Sequence, residues 1–119
     1  MGRACVLVIE DEPAIAFDVV LTLEDAGYAV VGPAETIPAA LDELRARQPD
    51  AAILDLNLNG ELSTPVAVAL HAAGVPFVIV TASSPSLIEP EHRQAPVLFK
   101  PVPARALLSA VERLIERDS

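Results

Sequence analysis

The 119-residue sequence has no tryptophan, one tyrosine and three phenylalanines, so aromatic rings cannot build its core. Ala, Val, Leu and Ile must do so, within an apolar share of 52% that argues against an intrinsically disordered chain. A single cysteine, Cys5, excludes an intrachain disulfide and fits a reduced, cytoplasmic setting. Its place in the run Cys5-Val6-Leu7-Val8-Ile9 reads as a buried, inert thiol. Basic residues are scarce: 8 Lys and Arg against 17 Asp and Glu give a formal net charge of −9. That balance speaks against nucleic acid as a partner, because phosphate-backbone binding needs clustered cations. It permits a divalent cation or a partner with a basic surface. Long apolar runs are also lacking. The first ends at Glu10-Asp11-Glu12, too short for a signal peptide, and none is long enough to span a bilayer. The expectation is one domain over 1–119 without an output domain, with no membrane partner.

Apolar residues do form short continuous runs. Cys5–Ile9, Ala51–Leu54, Phe77–Val80 and Val97–Phe99 read as buried strands, and Tyr28–Val31 as a fifth. Rich in Val and Ile and not alternating with polar residues, they suit parallel strands covered on both faces. Helical stretches lie between them. Pro13 opens the first and Gly27 closes it, with Ile15, Val19, Leu23 and Ala26 along one face. Thr36 caps a second that carries Ile37, Ala40, Leu41 and Leu44. Thr64-Pro65 and Gly74 bracket a third, and Leu107, Leu108, Val111, Leu114 and Ile115 mark the inner face of the last. The stretch Ala82–Gln94, with Pro85 and Pro90, has few apolar anchors. This alternation predicts an open α/β sheet with right-handed crossovers.

Parallel strands finish on one edge of the sheet, and ligands bind there. The residues that follow the runs are Glu10-Asp11, Asp55, Thr81 and Lys100. Three carboxylates, one hydroxyl and the chain's only lysine should therefore share a cleft. Two carboxylates roughly 4 Å apart repel by about 4 kcal/mol at an effective dielectric near 20. Such a cluster takes up a proton or binds a cation, and hard oxygens beside an open, watery face suit Mg²⁺. Aspartate is a competent nucleophile for phosphoryl transfer, and Lys100 and Thr81 would meet the phosphoryl oxygens. Taken singly, Thr81 is better read as a turn residue, and Glu10-Asp11-Glu12 as the acidic first turn of a helix. Four matching strand ends make the site the stronger reading.

With these pieces in order, the chain resembles the receiver domain of two-component response regulators. The resemblance rests on Val6-Leu7-Val8-Ile9-Glu10-Asp11-Glu12-Pro13, Val31-Gly32-Pro33-Ala34, Ile53-Leu54-Asp55-Leu56-Asn57-Leu58, Val80-Thr81-Ala82 and Phe99-Lys100-Pro101. It implies a flavodoxin-like (βα)5 fold, a five-stranded parallel sheet in order 2-1-3-4-5 with helices on both faces. It also implies an aspartate phosphorylated by a histidine kinase in the presence of Mg²⁺. By position, Asp55 corresponds to the phosphoacceptor, Asp11 to the direct metal ligand and Glu10 to the water-mediated one. The backbone carbonyl of Asn57 corresponds to a further metal ligand, Thr81 to the hydroxyl that turns toward the phosphoryl group, and Lys100 to its salt-bridge partner. Lys100-Pro101 matches a bond usually cis in such domains.

Two departures are informative. Asn59-Gly60 stands where most receivers carry a Pro, and Val97 stands where many carry Tyr or Phe. Both look like a FATGUY-like subgroup of stand-alone receivers associated with HWE-type kinases, although Ala82-Ser83-Ser84 departs from that subgroup's usual Gly-Tyr after the Thr. Without a ring at position 97, the response to phosphorylation is expected in residues 82–94, read by a downstream protein partner. His71, His92 and the polar face of the last helix read as surface, that face solvated or a weak homodimer contact on an otherwise monomeric chain; Phe99 reads as core. The competing functions are an aspartyl-nucleophile phosphatase, a phosphate sink and a pseudo-receiver scaffold. A phosphatase of that kind wants a second Asp at position 57, where Asn stands. The expectation is a phosphoacceptor regulator and not an enzyme, limited to self-catalysed phosphotransfer and autodephosphorylation.

Overall fold

The computed structural model describes residues 3–82 and 95–118. Strands β1 (Cys5–Ile9), β2 (Ala29–Ala34) and β3 (Ala51–Asp55) alternate with helices α1 (Pro13–Asp25) and α2 (Ile37–Arg47). A short hairpin follows, β4 (Asn57–Leu58) and β5 (Glu61–Leu62), then α3 (Thr64–Ala72), β6 (Phe77–Thr81), β7 (Val97–Phe99) and α4 (Ala104–Asp118). The main sheet is parallel, in the order β2-β1-β3-β6-β7. Counting only its five strands, this is the expected 2-1-3-4-5. Residues 83–94, which hold His92 and all but the first residue of the segment 82–94 where a conformational change is expected, fall outside the described residues.

Strand alternation sends neighbouring residues to opposite faces, and each face has its own core. Leu7, Ile9, Leu54 and Ile79 join Ala40, Leu44, Val66 and Leu70 on the side of α2 and α3. Val6, Val8, Ile53 and Val78 join Leu23, Leu107, Val111 and Leu114 on the side of α1 and α4. The strands therefore bury both faces, which is why their sequence runs are continuous instead of alternating.

Most helix boundaries fall where the sequence places them. The Thr36 side chain accepts the Ala39 N–H at 3.1 Å, capping α2. Pro13 begins α1, and Gly27 ends its turn with φ +96°. Several expectations need correction. Ala26 is exposed; Leu23 is buried as expected, and Ala16 is buried with it. Helix α3 does begin at Thr64, and the hydroxyl of Ser63 before it is used elsewhere. Phe99 is 51% exposed, because it ends β7, the outermost strand of the sheet. Cys5 is half-buried at the start of β1, and burial, reinforced by Asp50, pushes its thiol up, against a smaller opposing pull from Arg47. His71 is exposed, as expected.

Strand β2 begins one residue later than expected and runs three further, through Gly32-Pro33. Its register with β1 slips between Leu7 and Ile9, so the strand bulges there. Gly32 takes φ +97°, and Pro33, which lacks an N–H, is tolerated because β2 is an edge strand. The bulge delivers the Ala34 carbonyl to the Glu10 N–H at 3.0 Å. Both Gly32-Pro33 and Lys100-Pro101 are cis.

Candidate functional site

The site forms where β1, β3, β6 and β7 end together. Glu10 follows β1, Asp55 closes β3, Thr81 closes β6 and Lys100 follows β7. Glu10, Asp55 and Thr81 are buried, unusual for polar side chains and tolerable only with partners. Lys100 is held at the next turn by its own N–H, which donates to the Thr81 carbonyl at 2.9 Å. Its ammonium reaches back to two carboxylates, 3.0 Å from Asp55 Oδ2 and 3.1 Å from Glu10 Oε1.

The other carboxylate oxygens are held by backbone amides. Glu10 Oε2 accepts the Glu12 N–H and Asp55 Oδ1 accepts the Asn57 N–H, each at 3.1 Å. Asp11 Oδ2 accepts the Asn59 N–H, also at 3.1 Å. Glu10, Asp11 and Asp55 each offer an oxygen within 4.8 Å of the others. Three carboxylates face one ammonium, so the cluster keeps an excess of negative charge. Burial pushes the Glu10 carboxyl up to about 7, and the adjoining Asp55 reinforces this, while the Glu12 N–H and Lys100 oppose it. Burial acts against the Lys100 ammonium, yet hydrogen bonds and charge from Asp55 and Glu10 prevail and raise its pKa. Three clustered carboxylates whose hard oxygens lie beside the half-exposed Asp11 fit a divalent ion of Mg²⁺ type.

An apolar cavity of about 340 Å³ opens behind Lys100, between α1, the sheet and the start of α4. Val8, Ile15, Val80 and Leu107 are among its lining residues.

All five side chains expected from the sequence are therefore gathered at one edge. Asn57 lies beside them, with its side-chain Oδ1 accepting the Gly60 N–H at 3.0 Å. Two participants were missed by sequence reasoning. The hairpin turn at Asn59-Gly60, with φ of +54° and +85°, brings an amide to Asp11. Asn-Gly between short apolar segments is the strongest local hairpin signal, and it was there to be read. The second is Ser63, fully buried, whose Oγ donates to the Asp55 carbonyl at 2.6 Å and lies 3.1 Å from that of Leu56. No sequence signal marks it, because the contact closes a loop from β3 to α3.

Ser63 ties the backbone of Asp55 to the head of α3. Ser63→Ala should leave a buried carbonyl short of its donor, costing about 1–3 kcal/mol. For a chain of this size the melting temperature should fall by roughly 4–12 °C. Thermal denaturation followed by far-UV circular dichroism checks it; an unchanged melting point would mean the hydroxyl holds nothing.

Among the described residues no helix is long and apolar enough to cross a membrane. Comparison with known proteins agrees with the geometry. The solution structure of SdrG from Sphingomonas melonis Fr1 is similar over 97% of this chain and 98% of its own, at 39% identity and a TM-score of 0.83. The BeF3-activated conformation of SdrG (organism given as Pseudomonas melonis Fr1) is similar over 96% and 98%, at 37% identity and a TM-score of 0.79. A curated Pseudomonas aeruginosa protein named as a transcriptional regulator is 42% identical over 53 residues. The match takes in 44% of this chain and only 26% of that relative's length. Residues 6–112 match the family described as the response regulator receiver domain, and with that span of sequence folded around this carboxylate and lysine edge, the chain belongs to that family.

Proposed function

We propose that the chain accepts a phosphoryl group on Asp55 from a histidine kinase in a Mg²⁺-dependent reaction and passes the signal to a protein partner. One observation carries the reading: the Asp55 carboxylate sits between a lysine ammonium at 3.0 Å and two further carboxylates that can hold a cation beside it. Asp11, Asp55 and the Asn57 carbonyl would hold the ion directly, and Glu10 through water. When bound, Mg²⁺ supplies charge neutralisation for the phosphoryl oxygens.

In the transfer, an Asp55 carboxylate oxygen forms a bond to phosphorus as the donor's P–N bond breaks. The electron pair of that bond leaves with the donor's imidazole. The new acyl phosphate carries negative oxygens that Lys100 and the Thr81 hydroxyl would meet, so Lys100 exchanges its carboxylate partner for a phosphoryl one. Hydrolysis later returns the Asp55 carboxylate and inorganic phosphate. Asn57 lacks the carboxyl that an acid–base residue of a phosphatase would need, which supports a phosphoacceptor in place of a turnover enzyme.

The partner reads the change without an aromatic switch. Val97 is half-buried against the core on the α2–α3 side and has a single stiff, β-branched rotor. The FATGUY-like and HWE-kinase readings rest on the sequence features around positions 59 and 97. A cytoplasmic location follows from the same reading.

Incubation with labelled acetyl phosphate and Mg²⁺ tests the function. The expected outcome is a stable acyl phosphate approaching one per chain. Continuous release of phosphate without accumulation would favour the phosphatase reading instead.

The metal requirement has its own pH signature. Glu10 is ordinarily half-ionised near 4.5 and here near 7, so between these values the folded chain holds more protons than the unfolded one. Metal-free stability should therefore fall as pH rises from about 4.5 to about 7. A bound cation replaces that proton, so Mg²⁺ should raise the melting temperature more at about pH 8 than at about pH 5.5. Equal Mg²⁺-dependent shifts at the two pH values would overturn this account of Glu10.

A further inference from the structure

The β4–β5 turn is bound to the site by contacts that none of the assigned roles requires. The Asn59 N–H donates to Asp11 Oδ2 at 3.1 Å. The Asn59 side chain turns the other way and donates through Nδ2 to the Glu35 carbonyl at 3.0 Å, in the segment between β2 and α2. Gly60 N–H is capped in turn by Asn57 Oδ1 at 3.0 Å. Asn59 holds φ at +54°, a conformation that asparagine tolerates better than most residues. One residue thus spans two loops and touches the half-exposed member of the carboxylate cluster.

Asp11 needs such a restraint more than its neighbours do. Glu10 and Asp55 are buried and share the Lys100 ammonium, whereas among the described residues no cation pairs with Asp11. A carboxylate on a partly exposed aspartate samples three staggered wells, and one of them faces Glu10 and Asp55. A backbone amide aimed at Oδ2 selects that well only if the amide is itself fixed, and the Nδ2 bond to Glu35 fixes it. A proline at position 59 would have no N–H to donate and could not adopt φ +54°.

We propose that Asn59 is a positioning residue for the cation site, its amide holding the Asp11 carboxylate toward Glu10 and Asp55 and its side chain anchoring that amide on the Glu35 carbonyl. The inference rests on the cation-binding reading of the three carboxylates given above. Asn59 touches neither the ion nor the phosphoryl group; it acts through Asp11.

Asn59→Gly keeps the N–H and suits the left-handed backbone, and it removes only the anchor. Releasing Asp11 into three wells predicts Mg²⁺ affinity weaker by about threefold, and up to about tenfold if the amide also drifts. Asn59→Ala is the second variant, also neutral and also without the anchor. Because the chain has no tryptophan, affinity is read from backbone amide shifts during Mg²⁺ titration, with metal-free melts confirming that each variant is folded. The decisive measurement is a double-mutant cycle with Asp11→Ala. If Asn59 acts through Asp11, Asn59→Gly should change Mg²⁺ affinity little in the Asp11→Ala background. The same loss in both backgrounds, or affinity within about twofold of wild type for both single variants at Asn59, would overturn the proposal. A wild-type chain that shows no Mg²⁺ response at all would remove the cation reading itself, an outcome distinct from the other two.

Discussion

Asp55→Asn is expected to abolish labelling by acetyl phosphate and binding of beryllofluoride with Mg²⁺. The amide keeps the size of the carboxylate and one acceptor oxygen, but it has no anionic oxygen to attack phosphorus. The effect should be complete within the sensitivity of a mass measurement, because the other carboxylate that meets Lys100 is a poor replacement. Glu10 is the nearest substitute and lies 3.1 Å from the same ammonium, yet it is buried and shifted toward its protonated form, which makes it a poor nucleophile. Loss of labelling through unfolding is distinguishable. Removing one of three clustered carboxylates relieves their repulsion, so the metal-free variant should melt at or above the wild-type temperature. Labelling of a well-folded Asp55→Asn chain at wild-type stoichiometry would show that the phosphoacceptor lies elsewhere.

Gly32→Ala should be among the most damaging single methyl additions in the chain. At φ +97° an added Cβ would lie 2.7 Å from the Val8 carbonyl oxygen and 2.8 Å from the Ala34 nitrogen, both backbone atoms that cannot turn aside. The unfavourable conformation and the collision together should cost about 3 kcal/mol. The melting temperature should then fall by about 12 °C for a chain of this length. Gly27 is the matched control. Its φ is +96°, nearly the same, but a Cβ there meets nothing within 4 Å. Gly27→Ala should carry only the conformational cost, about 1 kcal/mol. Urea melts of the two variants isolate the collision, and equal losses would show that the bulge relaxes freely. Because Ala34 accepts the Glu10 N–H, Gly32→Ala should also weaken Mg²⁺ binding, whereas Gly27→Ala should not.

The strands and helices that build the sheet could be read from local pattern because their causes are local. Continuous Val and Ile runs such as Val6–Ile9 follow from burial on both faces, and Thr36 and Pro13 mark helix starts through their own backbone chemistry. The site's charged members were legible for a topological reason. A parallel sheet brings its strand ends together, so residues that follow buried runs must meet even when 45 positions separate them, as Asp55 and Lys100 are. Phe99 misled, because hydrophobicity says that a side chain gains from burial and not whether an edge strand offers anything to bury it against.

The sequence by itself determined the sheet, the order in which polar residues reach its edge and the excess of negative charge there. Only the tertiary structure decided how that charge is shared. Which carboxylates Lys100 meets, how deeply Glu10 is buried, and which amides orient Asp11 and Asp55 depend on distances between loops. Ser63 on the Asp55 carbonyl and Asn59 on Asp11 close contacts 8 and 48 residues apart. Hydrogen bonds act over about 3 Å and vanish with a small misplacement, whereas burial patterns tolerate it. The pattern therefore survives in the one-dimensional chain, and the pairing appears only when the chain is folded.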